Sequence, residues 1–304
     1  LVVKKMMKHL NGLVPVLITP LNEDGSVDSI RLKALTEHLC RLEISGLWVL
    51  GTGSEDMSLT FKQRLKVAES VSEADTNDKV IIMGAGFFSY QDSLDLIAAM
   101  HGLEFDALHC MPYHPVISHE RIEWIYEDLA EKSSKPVWMY FSENWSQTLP
   151  VQKISRLAQH PNIGGVKYST SNIVNILSVA QLNNTNFQVI TAVVRTLYNC
   201  LQLGIKATTT VDGCAYHRPI IEIFDLFVKG QNDKALALQI KLNTFLDSLP
   251  KGPGKDNFLK VAESKYVLSC QDLSGETMSA PYRGLTDEEK AEIDNLLEQN
   301  KGWI

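Results

Sequence analysis

The sequence predicts an α/β chain folded as a (β/α)₈ TIM barrel with a C-terminal helical appendage. Three observations predict it. Eight short apolar runs recur along the first two-thirds of the 304 residues, and helix-length amphipathic segments lie between them. From about Lys229 the runs stop and helical patterns follow one another directly. Strand–helix alternation repeated eight times suits a closed barrel better than an open doubly wound sheet, which is the alternative pattern. The expected division is residues 1–228 for the barrel with its active site and 229–304 for helices packed on it.

In chain order the runs are LVPVLI, LWVL, VIIMGA, ALHCM, PVWMY, IGGVK, FQVIT and IKATTTV. They are rich in branched and aromatic side chains and little broken by charge, as strands buried on both faces are. The segments between include SIRLKALTEHLCRLEI, TFKQRLKVAESVSEA, YQDSLDLIAAMHGL and SHERIEWIYEDLAEKS. Leu32, Leu35, Leu39 and Leu42 repeat at three- and four-residue spacing, and Asp28 or Ser29 can cap that first helix. Beyond Lys229, DKALALQIKLNTFLDSL, DNFLKVAESKYVLSC and TDEEKAEIDNLLEQN read as successive helices joined by PKGPGK and SGETMSAPYRG.

Composition narrows the function classes. A hydrophobic fraction of 44% is ordinary for a soluble globular chain. A net charge of -7 with no basic stripe argues against a nucleic-acid surface. Cys40, Cys110, Cys200, Cys214 and Cys270 are odd in number and form no C-x-x-C pair, which favours reduced thiols. The opening LVVKKMMKHL is too short for a signal peptide, and no run approaches the roughly 18 apolar residues of a membrane span. The expectation is a cytoplasmic protein with no membrane partner.

Candidate chemistry gathers at the strand ends. Lys167 closes the sixth run behind Gly164 and Gly165, at the edge where barrels build active sites. Such a lysine either reaches solvent as the loop begins, or is pressed into an apolar interior that turns its amine into a nucleophile. Tyr140 ends the fifth run, one strand away. The second run leads into LGTGSED, which offers a hydroxyl at Thr52 and backbone amides at Gly53 and Ser54 for an anion. GTGSED is no dinucleotide motif, because Asp56 stands where the third glycine belongs. Amine, phenol and anion nest together are the parts of Schiff-base chemistry on a keto acid; the alternative is that all three are packing or turn residues.

ITPLNEDGSVD, GTGSEDMSLTFKQR, MPYHP, WMYFSENW and IGGVKYST together resemble the dihydrodipicolinate synthase and N-acetylneuraminate lyase family of pyruvate-dependent class I aldolases, nearly end to end. The resemblance implies Lys167 as the Schiff-base lysine, Tyr140 as the proton relay, Thr52 as its hydrogen-bond partner and Gly53 in the carboxylate nest. It also implies a homo-oligomer, a tetramer or dimer. The departures fall elsewhere. Gly51-Thr52-Gly53-Ser54-Glu55 replaces the family's G-T-T-G-E, and His114 follows Tyr113 where the synthases carry a second tyrosine. Trp145 stands where the synthases keep an arginine for the second substrate, and Val193 and Val194 replace expected aspartates. The expected set is therefore Lys167, Tyr140 and Thr52 as catalytic residues, with Gly53, Ser54, Thr209, His114 and Trp145 binding substrate, and no cofactor or metal.

Other features have plain readings. His109, His114 and His119 run from strand to loop to helix start, a poor metal spacing. NEDGSVD reads as an acidic turn, not a calcium loop. Glu55 is a capping or pairing residue or a general base, and Arg195 either faces solvent or stands in for the missing arginine. The overall expectation is a lyase acting on pyruvate or a pyruvate-yielding 2-keto acid, with an unidentified aldehyde or sugar-acid moiety as second partner. A 2-keto-3-deoxy sugar-acid dehydratase using the same lysine is one alternative, and a non-catalytic small-acid sensor or scaffold is the other.

Overall fold

The eight runs become eight parallel strands, each almost wholly buried along its length, although the last carries three threonines in place of apolar residues. In a computed structural model that describes residues 8–114, 116–250 and 258–304, these are β1 (Gly12–Pro15), β2 (Gly46–Val49), β3 (Val80–Gly84), β4 (Ala107–Cys110), β5 (Val137–Ser142), β6 (Ile163–Ser169), β7 (Gln188–Thr191) and β8 (Ala207–Thr210). Their order is β1-β8-β7-β6-β5-β4-β3-β2. A parallel bridge between Val16 and Trp48, with the Leu17 amide donating to the Trp48 carbonyl at 2.9 Å, joins β1 to β2 and completes a TIM barrel. Most of the opening LVVKKMMKHL, Pro115 of MPYHP and nearly all of the link before the second tail helix lie outside the described residues.

Helices alternate with the strands: α1 (Ser29–Cys40), α2 (Phe61–Ser72), α3 (Tyr90–Ala99), α4 (His119–Lys132), α5 (Val151–Leu157), α6 (Ile173–Ala180), α7 (Leu197–Gln202), α8 (Asp212–Ala215) and α9 (His217–Val228). The Asp28 carboxylate caps α1 by accepting the Arg31 amide at 3.0 Å. Leu32, Leu35 and Leu39 face the core from α1, whereas Leu42 lies past its end, because the helix stops at Cys40. Three helices follow, α10 (Asn232–Ser248), α11 (Leu259–Ser269) and α12 (Asp287–Gln299), with no strand between them among the described residues. No helix of the described residues is long and apolar enough to cross a membrane.

The core is layered as the barrel demands. Val14, Trp48, Ile82, Trp138, Tyr140 and Ile190 fill the interior, while two further apolar clusters seal the strands against the helices. The glycine pair of β6 serves this interior. Val137 pairs with Ile163 but Trp138 pairs with Gly165, so Gly164 is the extra residue of a bulge. A Cβ on Gly165 would stand 2.7 Å from the Trp138 ring and 2.4 Å from the Gln188 carbonyl oxygen. The glycine therefore makes room for an indole of the core, not for a ligand.

Candidate active site

Tyr140 and Lys167 are not the last residues of their strands. The β5–β6 ladder pairs them directly and runs on through Phe141 and Tyr168 to Ser142 and Ser169. The apolar runs end two residues earlier because the final pair is polar, yet its backbone remains in register. Side chains alternate along a strand, so Tyr140 and Ser142 share the inner face of β5, and Lys167 and Ser169 that of β6. All four open on a cavity of about 600 Å³, which Thr52, Gly53, Thr209 and Trp145 also line.

Lys167 is only 2% exposed, with Nζ 4.2 Å from the centroid of the Tyr140 ring and 4.7 Å from that of Trp48. Burial pushes its pKa down to about 7, and the charge of Asp56 opposes the fall. Near neutral pH a substantial share of this amine is therefore unprotonated, whereas an ordinary lysine is almost wholly charged. The Tyr140 hydroxyl lies 3.0 Å from Thr52 Oγ1. Burial raises the phenol's pKa more than the Thr52 hydrogen bond lowers it, so Tyr140 keeps its proton at neutral pH.

Thr52 reaches this point because the chain turns sharply after β2. Leu50 adopts φ 54°, a left-handed conformation costly for a branched side chain, and a 3₁₀ turn follows over Thr52–Ser54. That turn consumes Ser54. Its amide donates to the Gly51 carbonyl at 2.8 Å and its hydroxyl to the Leu17 carbonyl at 2.6 Å. Ser54 is fully buried beneath the loop and does not line the cavity, contrary to its expected substrate-binding role. Gly53 does line it, packed between Val16 and Val211. Glu55 takes the pairing role: its carboxylate accepts the Ser279 amide and hydroxyl at 2.7 Å each and forms a buried ion pair with Lys265 on α11. The tail thereby clamps the loop that carries Thr52.

The acidic residue that broke the dinucleotide pattern has its own place. Asp56 is buried, with Oδ2 accepting the Tyr113 hydroxyl at 2.8 Å and Oδ1 without a hydrogen-bond partner among the described residues. Burial raises its pKa to about 6, against the pull of Arg64 and of the Tyr113 hydrogen bond. Its negative charge favours the Lys167 ammonium. Asp56→Asn is therefore expected to lower the Lys167 pKa further and move the acidic limb of imine formation below pH 7. A pH series of adduct formation at Lys167 measures this, and an unmoved or raised midpoint would refute it.

His114 does not reach the cavity. Its ring stacks on Phe88 with centroids 4.7 Å apart, so within this chain it takes no place beside Lys167. His109 lies inside the barrel, stacked on Trp48 at 4.2 Å and donating from Nε2 to the Val49 carbonyl at 2.8 Å. Burial takes its pKa down to about 3, leaving a neutral imidazole. Arg195 pairs with Asp247 at 2.9 Å and lies outside the cavity, so it does not replace the missing arginine. Thr209 is fully buried against the cavity, and its hydroxyl has no hydrogen-bond partner among the described residues.

Several lining residues escaped the sequence reading. Ser142 and Ser169 were available from alternation, two positions beyond Tyr140 and Lys167. Phe258, Lys260 and Tyr282 come from the helical tail, where no local pattern marks them.

Comparison with known proteins follows the same outline. The sequence pattern of the Dihydrodipicolinate synthetase family matches residues 9–300. The chain is 27% identical over 291 residues to the 4-hydroxy-tetrahydrodipicolinate synthase of Streptococcus mutans serotype c, covering 95% of this chain and 97% of that one. Its fold is similar to dihydrodipicolinate synthase from Bacteroides thetaiotaomicron, with TM-score 0.88, 21% identity and coverage of 95% and 98% of the two chains. N-acetylneuraminate lyase from Mycoplasma synoviae is also similar in fold, with TM-score 0.84, 17% identity and coverage of 95% and 98%.

Proposed function

Because the chain belongs to the Dihydrodipicolinate synthetase family, we propose that it is a Schiff-base (class I) lyase acting on pyruvate or on a 2-keto acid that yields pyruvate. One observation carries the reading: a buried lysine, 4.2 Å from the ring of a phenol whose hydroxyl is held by a threonine, in the wall of a cavity.

The neutral Lys167 amine adds to the keto carbon, and loss of water gives the imine. Tyr140, oriented by Thr52, hands protons to the departing hydroxyl and to the aldehyde oxygen, and recovers them as the reaction proceeds. Removing a proton from the imine's methyl carbon gives an enamine, which forms the carbon–carbon bond to an aldehyde. Hydrolysis of the product imine restores the amine, and cleavage is the same sequence reversed. The Thr209 hydroxyl and the loop at Gly53 serve the keto acid's carboxylate.

The far side of the cavity departs from a synthase. With Trp145 in place of an arginine, dihydrodipicolinate synthesis from pyruvate and aspartate semialdehyde is expected to be at least ten- to a hundredfold weaker than in a synthase, as for a carboxylate left without its partner. A coupled assay checks this, and synthase-like turnover would refute it. The proposal as a whole is tested by mass spectrometry after borohydride treatment with a panel of 2-keto acids. A reduced three-carbon adduct from pyruvate on Lys167 supports it, and no adduct with any member of the panel overturns it. Product analysis separates aldol cleavage from loss of water, which the same amine and phenol would serve.

A further inference from the structure

The mouth of the cavity is aromatic. Trp145 from the loop after β5, Phe258 ahead of α11 and Tyr282 from the segment before α12 form one continuous wall. The Trp145 and Phe258 ring centroids are 5.5 Å apart, and those of Phe258 and Tyr282 are 4.5 Å apart. Trp145 is 38% exposed and lines the same cavity as Lys167. Phe258 stands at φ 59° and ψ 30°, a left-handed conformation that aromatic residues rarely adopt. Residues in strained backbone cluster at functional sites, and this ring lines the cavity.

Charge is as informative. Besides Lys167, Lys260 is the cation that lines this cavity among the described residues, and its Nζ is paired with Asp212 Oδ2 at 2.9 Å. Among the described residues, a substrate bringing a second carboxylate to this wall would find no unpaired cation. Ser142, Asn144 and Ser169 also line the cavity and can hydrogen-bond, but the wall itself offers the hydroxyls of a sugar-like aldehyde only aromatic faces that return few hydrogen bonds. A flat, uncharged ring is what three tilted aromatic rings solvate best.

We infer that the aldehyde partner of the reaction is an aromatic aldehyde. This rests on the Schiff-base reading of Lys167 and names the second substrate class for that same site. The net reaction is pyruvate plus an aryl aldehyde in reversible equilibrium with a 4-aryl-4-hydroxy-2-keto acid. One carbon–carbon bond forms between the pyruvate methyl carbon and the aldehyde carbon. The methyl proton is transferred through the site to the aldehyde oxygen, and nothing is oxidised or reduced.

The test compares kcat/KM for benzaldehyde, glyceraldehyde and aspartate semialdehyde as partners of pyruvate in the wild-type protein. Benzaldehyde is expected to exceed each of the others by about tenfold or more. Trp145→Ala should lower the benzaldehyde-to-glyceraldehyde ratio by about tenfold, and Tyr282→Leu, a milder change, should lower it in the same direction. A wild-type ratio at or below one, or a ratio that neither variant moves, overturns the inference. Borohydride trapping of pyruvate on Lys167, run in parallel without aldehyde, reports only on the Schiff-base reading. An adduct without aromatic preference sinks the aromatic partner alone, and absence of the adduct sinks the parent proposal.

Discussion

Lys167→Ala should lose the trapped pyruvate adduct completely and lower turnover by about 10⁴-fold or more, since among the described residues nothing else lining the cavity supplies a neutral amine. Lys260, the other lysine lining it, carries an ion pair to Asp212. A companion variant, Lys167→Met, separates chemistry from packing. Methionine fills similar volume without a desolvated amine, so it should be equally inactive yet more stable. The sign follows from the lowered pKa. Between about pH 7 and the unfolded value near 10.5, the unfolded chain holds a proton at Lys167 that the folded chain lacks. Wild-type stability therefore rises with pH across that window, and at neutral pH the amine costs the fold on the order of a few kcal/mol. Denaturant midpoints of the two proteins should be far apart at pH 7 and converge towards pH 10. An adduct surviving in Lys167→Ala, or a methionine variant weaker than wild type at neutral pH, would refute this account.

Tyr140→Phe is the second large effect. The substitution keeps the ring beneath Lys167 and removes only the hydroxyl that Thr52 holds at 3.0 Å. Turnover should fall by roughly 10²–10⁴, the range for a positioned acid–base group. Pyruvate affinity should change little, because carboxylate binding is assigned to the loop at Gly53 and to Thr209. Steady-state kinetics beside calorimetric binding of pyruvate make the comparison. Full activity in the phenylalanine variant would remove the relay role. Lost binding with proportionate loss of turnover would mean that the phenol anchors substrate instead.

The sequence was most legible where one physical cause acts alone. Strands buried on both faces carry branched residues little broken by charge, so all eight were visible, and with them the neighbours Tyr140 and Lys167. Legibility failed where causes compete. Ser142 and Ser169 are polar because they face the cavity, and their polarity hid the last turns of the β5–β6 ladder. Ser54 looked like part of an anion nest, but a 3₁₀ turn consumes its amide, a distinction that four residues of glycine-rich sequence do not encode. Glu55, Arg195 and Asp56 are each defined by a partner: Lys265, Asp247 and Tyr113. Such pairings are products of the closed fold, as is the aromatic wall assembled from the β5 loop and the tail.

The pairing of the first strand with the last, which brings the two ends of the barrel segment together, has a consequence in time. β1 pairs with β8, with Gly12 opposite Ala207, so sealing the ring requires both ends of the barrel segment to have been made and brought together. Contacts so distant in sequence are the slow ones in folding. The lowered basicity of Lys167 comes from burial, and an unsealed ring admits water to its interior. A nascent or half-folded chain thus carries an ordinary ammonium group, inert towards keto acids at neutral pH. If this amine forms the proposed imine, its appearance as a trappable group during refolding is expected to lag behind the helical signal and to time the closing of the ring.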